Sequence, residues 1–240
     1  MHSLAIAVPI RPGKTEDWRR YAQALANEHR DEMNEDFRRF RTLREIAWLQ
    51  QTQNHDMAIL FWEVEDPELH RQQFQEIMAS DEPFYVWQRE SMMDLFGFDP
   101  TQPRPPMPEL VHDHQVNGGG DGYAVTSTAI VVPLKHGKEE RWKQHTRELI
   151  SSRRTDVERD WQRFGIHRAA SWLQQTTNGH QAILVWELDD PSRLTERSQL
   201  ISESEEDYYA ELRKSLSDVF DIDRVGKTQP AELIFEYRAT

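Results

Sequence analysis

The pentapeptide Trp48-Leu49-Gln50-Gln51-Thr52 occurs a second time, unchanged, as Trp172-Leu173-Gln174-Gln175-Thr176. The two copies lie 172 − 48 = 124 residues apart, and the same offset aligns Ser3–Asp99 with Ser127–Asp223 without a gap. About 36 of the 97 aligned pairs are identical, far more than unrelated segments would share. Internal similarity at a fixed offset predicts the tandem duplication of one structural unit.

The repeat also predicts the domain organisation. A chain of 240 residues is long enough for two domains of ordinary size. We place the repeats at 1–116 and 124–240, joined by a linker, 117–123, that contains three consecutive glycines. Each repeat is long enough to bury a core without metal or disulfide staples.

The composition excludes several classes of function. The chain has no cysteine, which excludes disulfides, thiolate nucleophiles and Cys-ligated metal sites. A net charge of −13 argues against nucleic acid or an anionic membrane as the main partner. The first apolar run ends at Pro9 without basic flanks, and no run approaches the length of a membrane span. We therefore expect a cytoplasmic protein with no membrane segment.

Apolar spacing predicts the secondary structure of each repeat. Alternation indicates strands, and a spacing of three to four indicates amphipathic helices. In the first repeat, the predicted elements are a strand 3–9, one long helix 14–40, strands 44–52 and 57–64, helices 67–79 and 83–96, and a strand 109–114. Within the long helix, Asp36 and Arg39 lie three residues apart, which predicts an ion pair on the helix surface.

This element order is that of a ferredoxin-like α+β unit, with one sheet and helices on one of its faces. The other face of the sheet must also be covered. We expect the second repeat to supply that cover, with one sheet facing the other within the same chain.

Three segments resemble a known group of proteins. They are the start Pro9-x-x-x-Gly13-Lys14-x-x-x-Trp18, the repeated pentapeptide, and the Asp66-Pro67 helix followed by Ser80-Asp81-Glu82-Pro83-Phe84-Tyr85. Together they resemble the antibiotic-biosynthesis-monooxygenase-like members of the dimeric α+β barrel superfamily. The resemblance implies two ferredoxin-like (βαββαβ) repeats that form an intramolecular dimeric α+β barrel. It also implies a pocket between sheet and helices in each half, and a monooxygenase-like enzyme acting on an aromatic substrate.

The sequence departs from these relatives at their catalytic residues. The haem-degrading and quinol-oxidising relatives use an Asn on the first strand, but 4–8 and 128–132 contain none. The chlorite-dismutase-like relatives bind haem through a His of the second domain. His145 and His167 lie in that half, without a motif that selects either. The resemblance therefore allows haem, while the sequence itself requires no cofactor.

Tryptophans recur in both repeats and are the first candidates for a substrate site. Trp can line an aromatic pocket and donate one hydrogen bond, although a plain core position on a helix stripe or strand face is the favoured interpretation. The recurring residues are Trp18, Trp48, Trp62, Trp142, Trp172 and Trp186.

The repeated glutamines are the second candidates. Gln50 and Gln51 are adjacent in a strand, so they point to opposite faces, and both faces should be dry. A buried amide needs a partner. Gln50 and its match Gln174 therefore either pair between the two halves or contact a ligand. Arg30 and Arg154 either bind an anionic substrate or lie on the surface.

Four titratable residues are candidates for proton transfer. Glu63 and Glu187 each follow a Trp near a strand end, as rim charges or as general bases with raised pKa values. His112 and His114 lie two apart on one strand, which suits proton transfer, weak metal binding or a structural role. The second repeat has Phe235 and Tyr237 there, so such a site would exist in one half only. We predict no metal site.

Two classes of function remain open. The first is an enzyme that binds a small aromatic molecule, either cofactor-free or haem-dependent. The second is a binding or scaffolding protein without turnover, and a haem-binding protein is a further alternative. Because both repeats lie in one chain, we expect a monomeric pseudo-dimer or a weak homodimer.

Overall fold

The computed structural model describes residues 1–52, 55–98, 106–116, 125–221 and 231–239. The predicted linker 117–123 and part of the turn after Thr52 lie outside these ranges. The α+β class is confirmed, because the described residues form two four-stranded antiparallel sheets together with helices. The chain divides into two compact units. Unit 1 comprises Met1–Pro106 and Ala231–Thr240, and unit 2 comprises Met107–Pro230.

The two repeats contain the same succession of helices and strands. Along the chain these are β1 (His2–Pro9), α1 (Thr15–Asn27), α2 (Arg30–Phe40), β2 (Thr42–Gln50), β3 (Met57–Val64), α3 (Pro67–Ala79), α4 (Pro83–Phe96), β4 (Glu109–Gln115), β5 (Thr126–Pro133), α5 (Glu139–Ser152), α6 (Arg154–Phe164), β6 (Ile166–Thr176), β7 (Gly179–Leu188), α7 (Arg193–Glu203), α8 (Asp207–Val219) and β8 (Glu232–Arg238). The sheet of unit 1 has the order β1-β3-β2-β8, and that of unit 2 has the order β4-β6-β7-β5.

The fourth strand of each repeat pairs with the sheet strands of the other repeat. We expected each repeat to complete its own sheet. Instead, β8 at the C-terminal end pairs with β2, and β4 pairs with β6. The two edge strands are therefore exchanged between the repeats.

Matched ion pairs hold the exchanged strands. The Nε of Arg44 donates to Glu236 of β8 at 2.9 Å. At the matched position, Arg168 binds Asp113 of β4 through Nε and Nη2, at 2.8 and 2.7 Å. Arg44 and Arg168 are 124 residues apart, so each sheet offers the same charged docking position to an incoming strand.

Alternate residues of the central strand β2 face opposite sides of its sheet. Ala47 and Leu49 join the apolar core formed with the helices of unit 1. Ile46, Trp48 and Gln50 point to the other side and are at most 1% exposed. Both faces of this strand are therefore buried.

The predicted long helix 14–40 is wrong in one respect, because it is broken into α1 and α2. His29 has backbone angles of φ −109° and ψ 29°, outside the helical region. The carbonyl of Ala24 accepts hydrogen bonds from the N–H groups of both Glu28 and His29, which ends α1. Unit 2 repeats the break at Arg153.

The end of α2 carries a strained residue that leads to a stability prediction. Arg41 adopts a left-handed conformation with φ 48°, whereas its match Gly165 has φ 64°. Glycine adopts this conformation without steric cost. We expect Arg41→Gly to raise the free energy of unfolding by about 0.5–1 kcal/mol in urea titrations.

The matched control is Gly165→Ala, which should destabilise. A Cβ atom at Gly165 would lie 2.5 Å from a carboxylate oxygen of Asp189. A loss of stability in Arg41→Gly would contradict the prediction.

Candidate functional site

Glu45 is a half-buried carboxylate in the middle of the sheet of unit 1. It alternates with Ala47 and Leu49, so its side chain lies on the side of the sheet that faces the helices. Its cross-strand neighbours are Trp62 on β3 and Tyr237 on β8. Glu45 is not among the site residues predicted from the sequence, because its match in the second repeat is Ala169.

The surroundings of Glu45 favour its protonated form. Burial is the main cause that raises its pKa, and the nearby charge of Asp36 adds to the effect. A hydrogen bond from Trp62 opposes the shift, and the resulting pKa is about 7. Glu45 can therefore gain or lose a proton close to neutral pH.

A second carboxylate, Asp36, lies in the same region. The predicted surface pair with Arg39 is wrong in its location, because Asp36 is only 6% exposed. The hydroxyl of Tyr85 donates a hydrogen bond to it. Burial raises the pKa of Asp36 to about 6, although this hydrogen bond and the charge of Arg39 act against the shift.

Aromatic rings form much of the surroundings of these two carboxylates. Tyr21 of α1 stacks on Trp18 and Trp87, with ring centroids 5.8 and 5.1 Å away. The ring of Tyr237 meets Phe37 of α2 edge to face, at 4.7 Å. We call Glu45, Asp36, Tyr21, Trp62 and Tyr237 together the Glu45 cluster.

His70 of α3 lies beside this cluster. Its Nδ1 is 3.2 Å from the hydroxyl of Thr42, and its ring centroid is 5.8 Å from that of Trp62. Burial lowers the pKa of His70 to about 4, so the imidazole is neutral at pH 7. It adds a polar group without adding a positive charge.

A surface cleft of about 430 Å³ lies next to the cluster. Phe37 contributes to the cleft and also contacts Tyr237. The hydroxyl of Tyr237 donates to Asn34, another residue of the cleft wall. The described residues that line the cleft are Asp31, Asn34, Glu35, Phe37, Arg38 and Ala239.

Unit 2 lacks the proton acceptor at the matched position. Ala169 replaces Glu45, and Leu194 replaces His70. Asp160, the match of Asp36, accepts hydrogen bonds from Arg197 at 2.7 Å and from Tyr209 at 2.8 Å. A cation within the protein therefore balances the buried carboxylate of unit 2.

The residues predicted from the sequence divide between the two sides of each sheet. Trp18, Trp62, Trp142, Trp186, His112 and His114 lie on the helix-facing side, whereas Trp48, Gln50, Glu63, Trp172, Gln174 and Glu187 lie on the opposite side. Trp48 and Gln50 thus point away from the interior that contains the Glu45 cluster.

The predicted glutamates take part in ion pairs. Glu63 is buried, and its carboxylate lies 4.0 Å from Nη1 of Arg44. The carboxylate of Glu187 lies 3.7 Å from Nη1 of Arg168. These contacts extend the ion pairs that hold the exchanged strands.

The predicted arginines lie on the surface, at the first residues of α2 and α6. Arg30 and Arg154 are exposed. The Nε of Arg154 donates to Glu158 at 2.8 Å, one turn along the same helix.

Of the four repeated glutamines, Gln50 and Gln174 are buried as predicted. Gln50 and Gln174 are 1% and 7% exposed, and Gln174 accepts a hydrogen bond from Gln181 at 3.3 Å within unit 2. Gln51 and Gln175 are exposed, contrary to the expectation of two dry faces. They lie at the ends of β2 and β6, beyond the cover of the core.

His112 and His114 both face the helices of unit 2. The Nδ1 of His112 is 2.7 Å from the Ser171 hydroxyl, and burial lowers the His112 pKa to about 4. The ring of His114 lies 5.5 Å from Trp161. Within the described ranges, no group of three or more His, Asp and Glu residues is arranged to hold a metal ion.

The two histidines considered as haem ligands differ in availability. His145 of α5 is buried, and its Nε2 has no hydrogen-bond partner among the described residues. Burial lowers its pKa, which keeps the imidazole neutral. The Nε2 of His167 instead lies 2.7 Å from a carboxylate oxygen of Asp189. Only His145 therefore has the free ring nitrogen that an iron ligand needs.

In the part of the chain that the structure describes, every helix is too short or too polar to cross a membrane.

Comparisons with known proteins give structural likeness without a close relative in sequence. No protein-family model and no curated protein matches this chain. Similar solved structures include a candidate monooxygenase from Fusobacterium nucleatum, at 7% identity and a TM-score of 0.48, covering 98% of this chain and 93% of that one. A candidate monooxygenase from Lactobacillus acidophilus matches at 9% identity and a TM-score of 0.47, covering 98% and 94%.

An anthrone oxidase-like protein matches at 11% identity and a TM-score of 0.47, covering 99% of this chain and 92% of the other. At these identities and scores, the matches assign neither a reaction nor a ligand to this chain.

Proposed function

We propose that this chain binds a small aromatic molecule at the Glu45 cluster, between the sheet and the helices of unit 1, and acts on it as a monooxygenase-like enzyme. The observation that carries the proposal is the placement of Glu45. This half-buried carboxylate faces an aromatic interior, in register with Trp62 and Tyr237. Apolar rings with a few convergent polar groups are typical of small-molecule sites.

Glu45 would accept a proton from the bound ligand. A general base is most effective when its pKa lies near the working pH, and the pKa of Glu45 is about 7. The hydrogen bond from Trp62 would orient the carboxylate. The half-buried rings of Trp62 and Tyr237 would supply the contact surface for an aromatic ligand.

The remaining residues predicted from the sequence would have other roles. Glu63 and Glu187 would hold the exchanged strands through their arginine partners. We also propose that the two halves derive from duplication of a unit spanning 1–116 and 124–240, and that the chain is a monomer or a weak homodimer. Sedimentation equilibrium showing an obligate higher oligomer would contradict the last point.

The test compares Glu45→Gln with Glu90→Gln, a matched change at an exposed residue of α4. Binding of hydroxylated polycyclic aromatics is measured by calorimetry between pH 5.5 and 8.5. We expect the wild type and Glu90→Gln to show a transition near pH 7 that is absent in Glu45→Gln. Identical profiles for all three proteins would overturn the assignment. An oxygen electrode then separates turnover from the alternative, binding or scaffolding without catalysis.

The unpartnered Nε2 of His145 favours a haem-binding protein as a second candidate. A buried, neutral imidazole with one free nitrogen is chemically suited to ligate iron. If this candidate holds, titration with haem should give a Soret shift that is lost in His145→Ala and kept in His167→Ala. Equal spectra for the two variants would exclude His145 as the ligand.

A further inference from the structure

We propose that the ligand of the Glu45 cluster carries a protonated amine, which binds between the Glu45 carboxylate and the Tyr21 hydroxyl. This inference rests on the proposed function, because it names the chemical class of the ligand of the same site. Three features of unit 1 and one difference between unit 1 and unit 2 support it.

The first observation is the charge of the neighbours of Glu45. Three factors shift the pKa of Glu45: its burial, a hydrogen bond from the indole of Trp62, and the negative charge of Asp36. The neighbouring elements present Tyr21 from α1, Asp36 from α2, Trp62 from β3 and Tyr237 from β8, while His70 of α3 lies beside Trp62. None of these side chains is cationic at neutral pH. Arg39 acts on Asp36 from an exposed position, where it also bonds Glu76 at 3.2 Å.

The second observation is the hydroxyl of Tyr21. This side chain is only 8% exposed, and its ring stacks between Trp18 and Trp87 on the helix-facing side of the sheet. Burial raises the pKa of its hydroxyl, and the charge of Glu45 adds to the effect. The hydroxyl therefore stays protonated, and its oxygen can accept a hydrogen bond from a ligand donor that also bonds Glu45.

The third observation is the aromatic lining. An ammonium group has three N–H donors and no acceptor, which suits one carboxylate and one hydroxyl as acceptors. Ring faces also attract cations, and tryptophan does so most strongly. Trp62 and Tyr237 flank Glu45 on its two neighbouring strands. An aromatic amine would therefore use both kinds of surface.

The fourth observation is the contrast with unit 2. Asp160 has Arg197 as a partner at 2.7 Å, and the position of Glu45 is Ala169. The residue of the first repeat that matches Arg197 is Gln73, which is uncharged. Unit 2 thus contains its own buried cation, whereas we infer that unit 1 receives one from its ligand. The adjacent cleft includes Asp31 and Glu35 against one cation, Arg38, so the charge of the described residues that line it is negative.

The experiment uses three indole compounds of similar shape and different charge: tryptamine, tryptophol and indole-3-propionate. Their affinities for the full chain are measured by calorimetry at pH 7.5. We expect tryptamine to bind at least tenfold more tightly than tryptophol, and indole-3-propionate to bind most weakly. In Glu45→Gln, the preference for tryptamine over tryptophol should fall to less than twofold. Tyr21→Phe should weaken tryptamine several-fold more than tryptophol.

The outcomes separate this inference from the proposed function. Equal or tighter binding of tryptophol by the wild type, still dependent on Trp62, would overturn the amine and leave the aromatic site standing. Failure of all three compounds and of the hydroxylated aromatics to bind would overturn both. If Glu45→Gln fails to fold, the preference is measured in Tyr21→Phe and against pH. Tryptamine should then bind more tightly at pH 8 than at pH 6, because Glu45 loses its proton, and a flat profile would contradict the inference.

Discussion

Replacing Arg168 with alanine is expected to lower the free energy of unfolding of unit 2 by about 3–5 kcal/mol. Arg168 is buried, makes two hydrogen bonds to Asp113, and lies 3.7 Å from Glu187. Removing it leaves the poorly solvated carboxylate of Glu187 without its cation, which is costlier than the ion pair is worth, and the more exposed Asp113 loses two hydrogen bonds. The loss can be measured by hydrogen exchange at the amides of β6, the strand that contains Arg168.

The matched control is Arg44→Ala in unit 1. The Nε of Arg44 donates a hydrogen bond of 2.9 Å to Glu236, and the Nη1 of Arg44 lies 4.0 Å from Glu63. We expect a smaller loss there, since the distances to the two carboxylates are longer. Because Asp113 belongs to the exchanged strand β4, Arg168→Ala should also speed exchange at the amides of that strand. A loss below about 1 kcal/mol would show that the bidentate pair does not hold β4.

Replacing Glu45 with glutamine is expected to stabilise unit 1 at alkaline pH by about 3–4 kcal/mol. The pKa of Glu45 rises from an ordinary value of 4.5 to about 7 on folding, and each pKa unit corresponds to about 1.4 kcal/mol. The folded state therefore binds the proton more tightly than the unfolded state. The stability that this provides is present below pH 4.5 and is lost as the pH rises through 7.

Glutamine does not ionise, so the advantage of Glu45→Gln should appear between pH 5 and 8 and then level off. Denaturant titrations at pH 5 and pH 8.5 measure it, with Glu90→Gln as the exposed control. Asp36, with a pKa of about 6, remains in both proteins, and because its charge acts on Glu45, the difference includes the coupling between the two carboxylates. An unchanged difference between the two pH values would contradict the pKa assigned to Glu45. A gain in stability with a loss of ligand binding would indicate a residue kept for function.

The secondary structure of each half could be predicted from local patterns. Apolar alternation located β2 and β3, and the Asp-Pro and Ser-Asp-Glu-Pro sequences located α3 and α4. The break between α1 and α2 was missed, because the apolar spacing continues through it. That break is visible only in the backbone angles of His29 and in the two hydrogen bonds to Ala24.

The candidate site was harder to predict than the fold. Glu63 and Gln50 occur in both repeats and were therefore predicted as site residues. Both are buried, and Glu63 lies in an ion pair with Arg44. Glu45 has Ala169 as its match, so similarity between the repeats does not point to it. A buried strand position where the two repeats differ is the better indicator of a functional residue. Residues with a structural role occur in both repeats, whereas a functional site can lie in one half.

The sequence by itself determined that the chain has two α+β halves with the same order of elements, because apolar periodicity and helix-start residues are local properties. Only the tertiary structure decided which sheet each final strand joins. Arg44 and Arg168 offer equivalent partners to Glu236 and Asp113, so local complementarity does not distinguish the two pairings. Tertiary structure also placed Asp36, Tyr21 and Trp62 around Glu45. That convergence raises the pKa of one carboxylate, since burial depends on neighbours that are distant in sequence.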